Sequence, residues 1–102
     1  EERGREQRLL IDVALACDLT AVGESDDLRD TVDYAALAEA IRRKVRAARC
    51  RMIERAAELA AQVCLENPRV SEVGVRVEKV GALPGLRSAA VEISRIRDGA
   101  GA

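Results

Sequence analysis

Lys79 is the side chain whose setting most invites chemistry. It follows Val73, Val75 and Val77 at a spacing of two, so a lysine ends an otherwise apolar row on one face of a strand. A lysine amine ordinarily titrates near about 10.4, and service as a base near neutrality needs desolvation or nearby positive charge. The alternative is a strand-end lysine that snorkels to water. Glu54 falls in the first turn of a predicted helix, where the macrodipole stabilises a carboxylate with no further role required. A carboxylate can also accept two parallel donors at once. Tyr34, the only aromatic residue, stands at the start of another predicted helix, where it could simply pack.

Other chemistries are excluded by residue type. There is no histidine, which removes Ser-His and Cys-His dyads and most catalytic zinc sites. Cys17, Cys50 and Cys64 lie far apart with no Cys-x-x-Cys pair, and read as reduced, buried thiols rather than metal or redox groups. Seventeen basic and 18 acidic residues give a net charge of −1. The basic run Arg42-Arg43-Lys44-Val45-Arg46 has no neighbouring aromatic on which a base could stack, so it is expected to be a solvated helix face and not a nucleic-acid footprint. No apolar stretch is long enough to span a bilayer, and the acidic start does not resemble a signal peptide, so a soluble cytoplasmic protein is expected.

The elements that must hold these residues follow from periodicity. Between Gln7 and Leu19, Leu9, Ile11, Val13, Leu15 and Cys17 alternate as one face of a strand. Residues 20–30 lack periodicity and read as a surface connection. A helix is predicted over about Tyr34–Ala48, with Asp33 as its N-cap and Leu37, Ile41 and Val45 on its apolar face. A second runs from about Met52 to Glu66, with Ile53, Ala56, Leu59, Ala60, Val63 and Cys64 as its stripe and Asn67-Pro68 as its stop. Val70–Val80 is a strand, Gly81–Gly85 a turn or loop, and Ala89, Val91 and Ile93 alternate with Ala90, Glu92 and Ser94 in a last strand. This order argues an α+β domain, a three-stranded antiparallel sheet covered on one face by a helix pair, whose first strand lacks a hairpin partner. The domain spans 1–97, and residues 98–102 read as a disordered tail.

Several blocks, in order, resemble the dihydroneopterin aldolases. They are Asp26-Asp27-Leu28-Arg29-Asp30-Thr31-Val32-Asp33-Tyr34 before the first helix, Met52-Ile53-Glu54-Arg55-Ala56-Ala57-Glu58 at the start of the second, Val75-Arg76-Val77-Glu78-Lys79, and Val91-Glu92-Ile93-Ser94-Arg95. Gln7 and the strand after it are similar to the family's second strand. Family members usually begin with a further strand before the position of Glu2, so the chain, which starts without methionine, is expected to lack that strand. Lys79-Val80-Gly81-Ala82 also departs from the family's more common Lys-Pro.

The resemblance implies a tunnelling fold, in which four subunits join their sheets into a barrel ring and two rings stack into an octamer. It implies retro-aldol cleavage of dihydroneopterin to hydroxymethyl-dihydropterin and glycolaldehyde, in folate biosynthesis, without metal or organic cofactor, because the substrate's own C=N bond can accept the electrons. Glu54 would anchor the pterin, backbone groups near Val32 and Ile53 would complete recognition of its edge, and Glu2 matches a pocket carboxylate. Lys79 would move protons and Tyr34, on a loop from a neighbouring subunit, would assist. A sister family, the dihydroneopterin triphosphate epimerases, shares the fold and a similar lysine, and Lys79-x-x-Ala82-Leu83 has some of its character. A pterin-binding module without catalysis is the remaining alternative.

Overall fold

The computed structural model describes residues 8–81 and 84–98. Alternation at every second residue folds Leu9–Cys17 into strand β1, with Leu9, Ile11, Val13, Leu15 and Cys17 half-buried and the residues between them exposed. β1 pairs antiparallel with the later strand β2, Val70–Val80, from Leu9 opposite Lys79 to Ala16 opposite Glu72. Strand β3, Ser88–Ile96, pairs with the other edge of β2, so the sheet order is β1-β2-β3. The first strand therefore finds its partner not in a hairpin but across the whole helical section of the chain.

Where no periodicity was visible, the chain is more ordered than a plain connection. Helix α1, Thr20–Ser25, and a 3-10 turn, Leu28–Asp30, occupy that stretch and pack chiefly on each other. Short side-chain bonds make them. Asp18 accepts from the amide and hydroxyl of Thr20 at 3.0 and 2.7 Å, and Asp27 accepts from the amide of Arg29 at 2.9 Å.

Helices α2, Tyr34–Ala48, and α3, Ile53–Leu65, form an antiparallel pair. Asp33 caps α2 as expected, accepting from the amide of Ala36 at 3.1 Å. α3 lies against β2 and β3, and α2 packs on α3 rather than directly on the sheet. That arrangement buries α3 on two sides, so Ala57 and Ala61 are enclosed along with Ala56, Leu59, Ala60, Val63 and Cys64. Alanine is what permits this, since bulkier side chains would hold both neighbours away. Beneath α3 lie Val70, Val73, Val75 and Val77, each at most 2 % exposed. Fully burying such a side chain is worth roughly 1.5–3 kcal/mol, so the central strand contributes strongly to the cohesion of the core.

One arginine closes the fold. The Arg97 guanidinium, just past β3, donates to the carbonyls of Leu65, Asn67 and Val70 at 2.6, 2.7 and 2.8 Å, tying the end of β3 to the α3–β2 turn. The basic run of α2 faces solvent, with Arg42 paired to Glu39 at 2.6 Å. The three cysteines are free thiols, and burial pushes Cys64 above its ordinary range. Among the described residues no helix is long and apolar enough to cross a membrane.

Candidate active site

α3 rises about 20 Å over its 13 residues, whereas the 11 residues of β2 extend about 36 Å. A four-residue turn, 66–69, joins them and reverses the chain. The N-terminal end of α3, with Ile53 and Glu54, therefore lies over the half of β2 that ends in Lys79. Lys79 is half-buried, in phase with Val73, Val75 and Val77, and its backbone stands between Leu9 and Ala89. Just beyond it the chain turns at Gly81, whose φ of 70° suits glycine and whose amide donates to the carbonyl of Arg87 at 2.9 Å.

Glu54 projects into solvent from the first turn of α3 and, among the described residues, has no hydrogen bond or ion pair. No side chain caps that turn either, because the preceding residue is Met52. A free carboxylate and uncapped amides thus lie together at one helix end, a setting able to meet both the donors and the acceptor of a polar ring edge. Ile53, half-buried, packs against the core.

Val32 and Tyr34 are placed elsewhere. The α2–α3 pair is antiparallel, so the start of α2 lies by the end of α3. The bonds from the Arg69 guanidinium to the carbonyls of Arg29 and Asp30, at 2.8 and 3.1 Å, hold the preceding segment beside the start of β2. Val32 is 7 % exposed and belongs to the core, while Tyr34 is 82 % exposed. Within one chain the expected site residues therefore divide into two groups about a helix length, roughly 20 Å, apart. Ile53, Glu54 and Lys79 are at one end, and Val32 and Tyr34 at the other. Glu2 lies outside the described residues.

An open cleft of about 510 Å³ runs between β1 and α2, with Leu9, Ile11 and Val13 on one wall and Tyr34, Leu37 and Ile41 on the other. Of the expected site residues that the structure describes only Tyr34 lines it, so this cleft is not where Glu54 and Lys79 stand.

The opposite face of the sheet carries charges that periodicity placed but whose pairing it did not foresee. Arg76 stands in register between Asp12 and Glu92. Its guanidinium lies 2.9 Å from the Glu78 carboxylate and 3.6 Å from that of Glu92. A hydrogen bond from Ser88, then that from Arg76, holds Glu78 below its ordinary range, and Glu78 in turn raises Arg76. The sequence signal was two central strand positions of one charge, Asp12 and Glu92, flanking one of the other.

Comparison with known proteins matches this geometry to a family. The family model for FolB, dihydroneopterin aldolase, matches residues 1–94. A dihydroneopterin aldolase of Methylorubrum extorquens is 40% identical over 100 residues, covering 95% of this chain and 77% of that protein. The Escherichia coli dihydroneopterin aldolase, solved in complex with neopterin, superposes with a TM-score of 0.85 at 33% identity, over 92% of this chain and 82% of that one. A dihydroneopterin aldolase from Burkholderia thailendensis bound to guanine gives 0.76 at 32% identity, over 90% and 77%. A match across nearly the whole sequence, joined to the same arrangement of strands and helices in space, establishes that the chain belongs to the dihydroneopterin aldolase family.

Proposed function

We propose that the chain is a dihydroneopterin aldolase, a carbon–carbon lyase of folate biosynthesis whose active site forms where two copies of it meet. The observation that carries the two-copy reading is the division of the site residues between the two ends of the chain. Glu54 and Lys79 of one subunit would face the exposed Tyr34 of a neighbour. A ring of four such subunits, doubled into an octamer, would repeat that contact and close the sheet edges. The enzyme would work in the cytoplasm.

Neopterin and guanine, bound by the two related structures, share a pyrimidinone edge with an amino group beside a ring N–H. Such adjacent donors are the complement of one carboxylate. Glu54, unengaged among the described residues, fits that anchoring role, with backbone groups near Ile53 and, from the neighbouring copy, near Val32 completing the edge and Glu2 contributing a further carboxylate.

With the ring anchored, Lys79 takes the proton of the hydroxyl on the second side-chain carbon, directly or through a water. The bond to the first carbon then breaks, glycolaldehyde leaves, and the bonding electrons enter the C=N bond of the dihydropterin to give an enamine. Protonation at the first carbon, assisted by the neighbouring Tyr34, yields the hydroxymethyl product. Proton transfer by a positioned side chain contributes roughly 10²–10⁴-fold to rate, and neither metal nor organic cofactor is called for. Incubation with dihydroneopterin should release glycolaldehyde in step with substrate loss. A product that is only epimerised, or no turnover with pterin bound, would replace this reading with the epimerase or the binding module.

A further inference from the structure

Arg69 is a residue to which the chemistry above gives no part. It lies in the turn between α3 and β2, where its own amide donates to the Asn67 side chain at 2.9 Å. The guanidinium reaches some forty positions back along the chain. One nitrogen donates to the carbonyl of Arg29 at 2.8 Å and the other to that of Asp30 at 3.1 Å. Two parallel N–H groups meeting two successive carbonyls is a forked geometry that fixes direction as well as distance.

The segment so held, 26–33, has few other ties to the body of the protein. Among the described residues its remaining side-chain hydrogen bonds are local, Ser25 with Asp30 and with the amide of Asp27, Asp27 with Arg29, and Asp33 with Ala36, and its backbone bonds are local too. Among the described residues the two Arg69 bonds are the only ones that leave it for a distant part of the chain, and Val32 is its one side chain in the core. It runs directly into Tyr34, the first residue of α2.

We propose that Arg69 is a positioning residue for the pterin site, acting through the backbone of segment 26–33 to fix where Val32 and Tyr34 are presented. The inference rests on the reading that those residues meet the substrate. Without the fork the segment remains folded locally but samples orientations unable to meet a pterin. Apparent affinity then falls by the fraction of time it is competent, about tenfold if one orientation in ten is retained. Lysine, with one compact ammonium, restores part of the hold and part of the affinity.

The test compares Arg69→Ala, Arg69→Lys and Glu54→Gln with the parent protein, by neopterin titration, dihydroneopterin kinetics, thermal unfolding and light scattering for assembly. Expected for Arg69→Ala is a rise of about tenfold in neopterin Kd and in KM, with kcat at saturation within about twofold, unfolding and assembly unchanged, and Arg69→Lys intermediate. A Kd equal to the parent's overturns the proposal, and so does a loss of affinity that appears only with lost fold or assembly in both Arg69 variants. Glu54→Gln separates the two levels. If it weakens neopterin binding while Arg69→Ala does not, the pterin site stands and the positioning role falls; if neither variant changes binding, the site reading falls with it.

Discussion

Tyr34 and Lys79 lie at opposite ends of the same chain, one at the start of α2 beside the α3–β2 turn, the other on the last rungs of β2. No side-chain motion brings a phenol and an amine together across a helix length. If both serve one reaction, they do so from different subunits. Lys79→Ala and Tyr34→Phe, each impaired alone, should regain activity when unfolded together and reassembled. With random mixing, about a quarter of the sites would hold both intact residues. Activity that stays at the sum of the separate variants would show that the two do not share a site.

Lys79 and Glu54 should fail in different ways. Lys79→Ala is expected to lower kcat by about 10²-fold or more with neopterin Kd nearly unchanged, as suits a group needed for proton transfer. Glu54→Ala should raise Kd instead, by roughly ten- to a hundredfold, the loss of charge-assisted bonds worth about 1.5–3 kcal/mol. Fluorescence titration and steady-state rates measure both quantities, and the reverse pattern would exchange the roles.

Asp33 caps α2 through the amide of Ala36 at 3.1 Å. Asp33→Ala should cost about 1 kcal/mol, while Asp33→Asn should retain most of the stability. For a domain of this size that cost corresponds to a fall of about 4–8 °C in the calorimetric midpoint. Equal midpoints for the two variants would show that the cap contributes nothing.

The other end of α2 offers a gain. Arg49 occupies the left-handed region at φ 51°, where a side chain is strained. Arg49→Gly should relieve about 1 kcal/mol and raise the melting temperature. An unchanged or lower value would mean that the arginine compensates through contacts of its own.

Acid should expose the role of Glu78. Its carboxyl is held below the ordinary 4.5 by the Ser88 hydroxyl first and Arg76 second. A depressed folded-state value means stability that is present above the unfolded value and is lost as pH falls through the folded one. Below about pH 4.5 the parent should therefore lose stability more steeply than Glu78→Gln. Midpoints recorded from neutral pH downward would run parallel if the pairing were without effect.

The long elements were legible because burial wrote a period into them. Val73, Val75 and Val77 marked β2, and Leu37, Ile41 and Val45 marked α2, whose ends fell at Tyr34 and Ala48 as expected. α1 was not legible, since its six residues bury nothing and leave no apolar spacing to detect. Ala57 and Ala61 escaped the predicted stripe of α3 because their burial depends on α2 lying against them, a relation absent from any single helix. The bonds of Arg69 and Arg97 go to backbone carbonyls, which every residue has, so nothing in the distant sequence signals them. Candidate site residues were legible as types in phase with elements. Their separation into two ends was implied only by the family resemblance, which put Tyr34 on a neighbouring subunit, and not by the residues themselves, because it depends on which way the helices run over the sheet.

Tyr34 is the only tyrosine, and there is no tryptophan or phenylalanine, so one surface side chain supplies all the ultraviolet emission of the protein. At 82 % exposure its surroundings change little when the core melts. The usual optical signal of unfolding is thus nearly silent in this chain. The same fluorophore would respond strongly to being covered by another subunit or by a pterin, which makes its native optics a reporter of encounters.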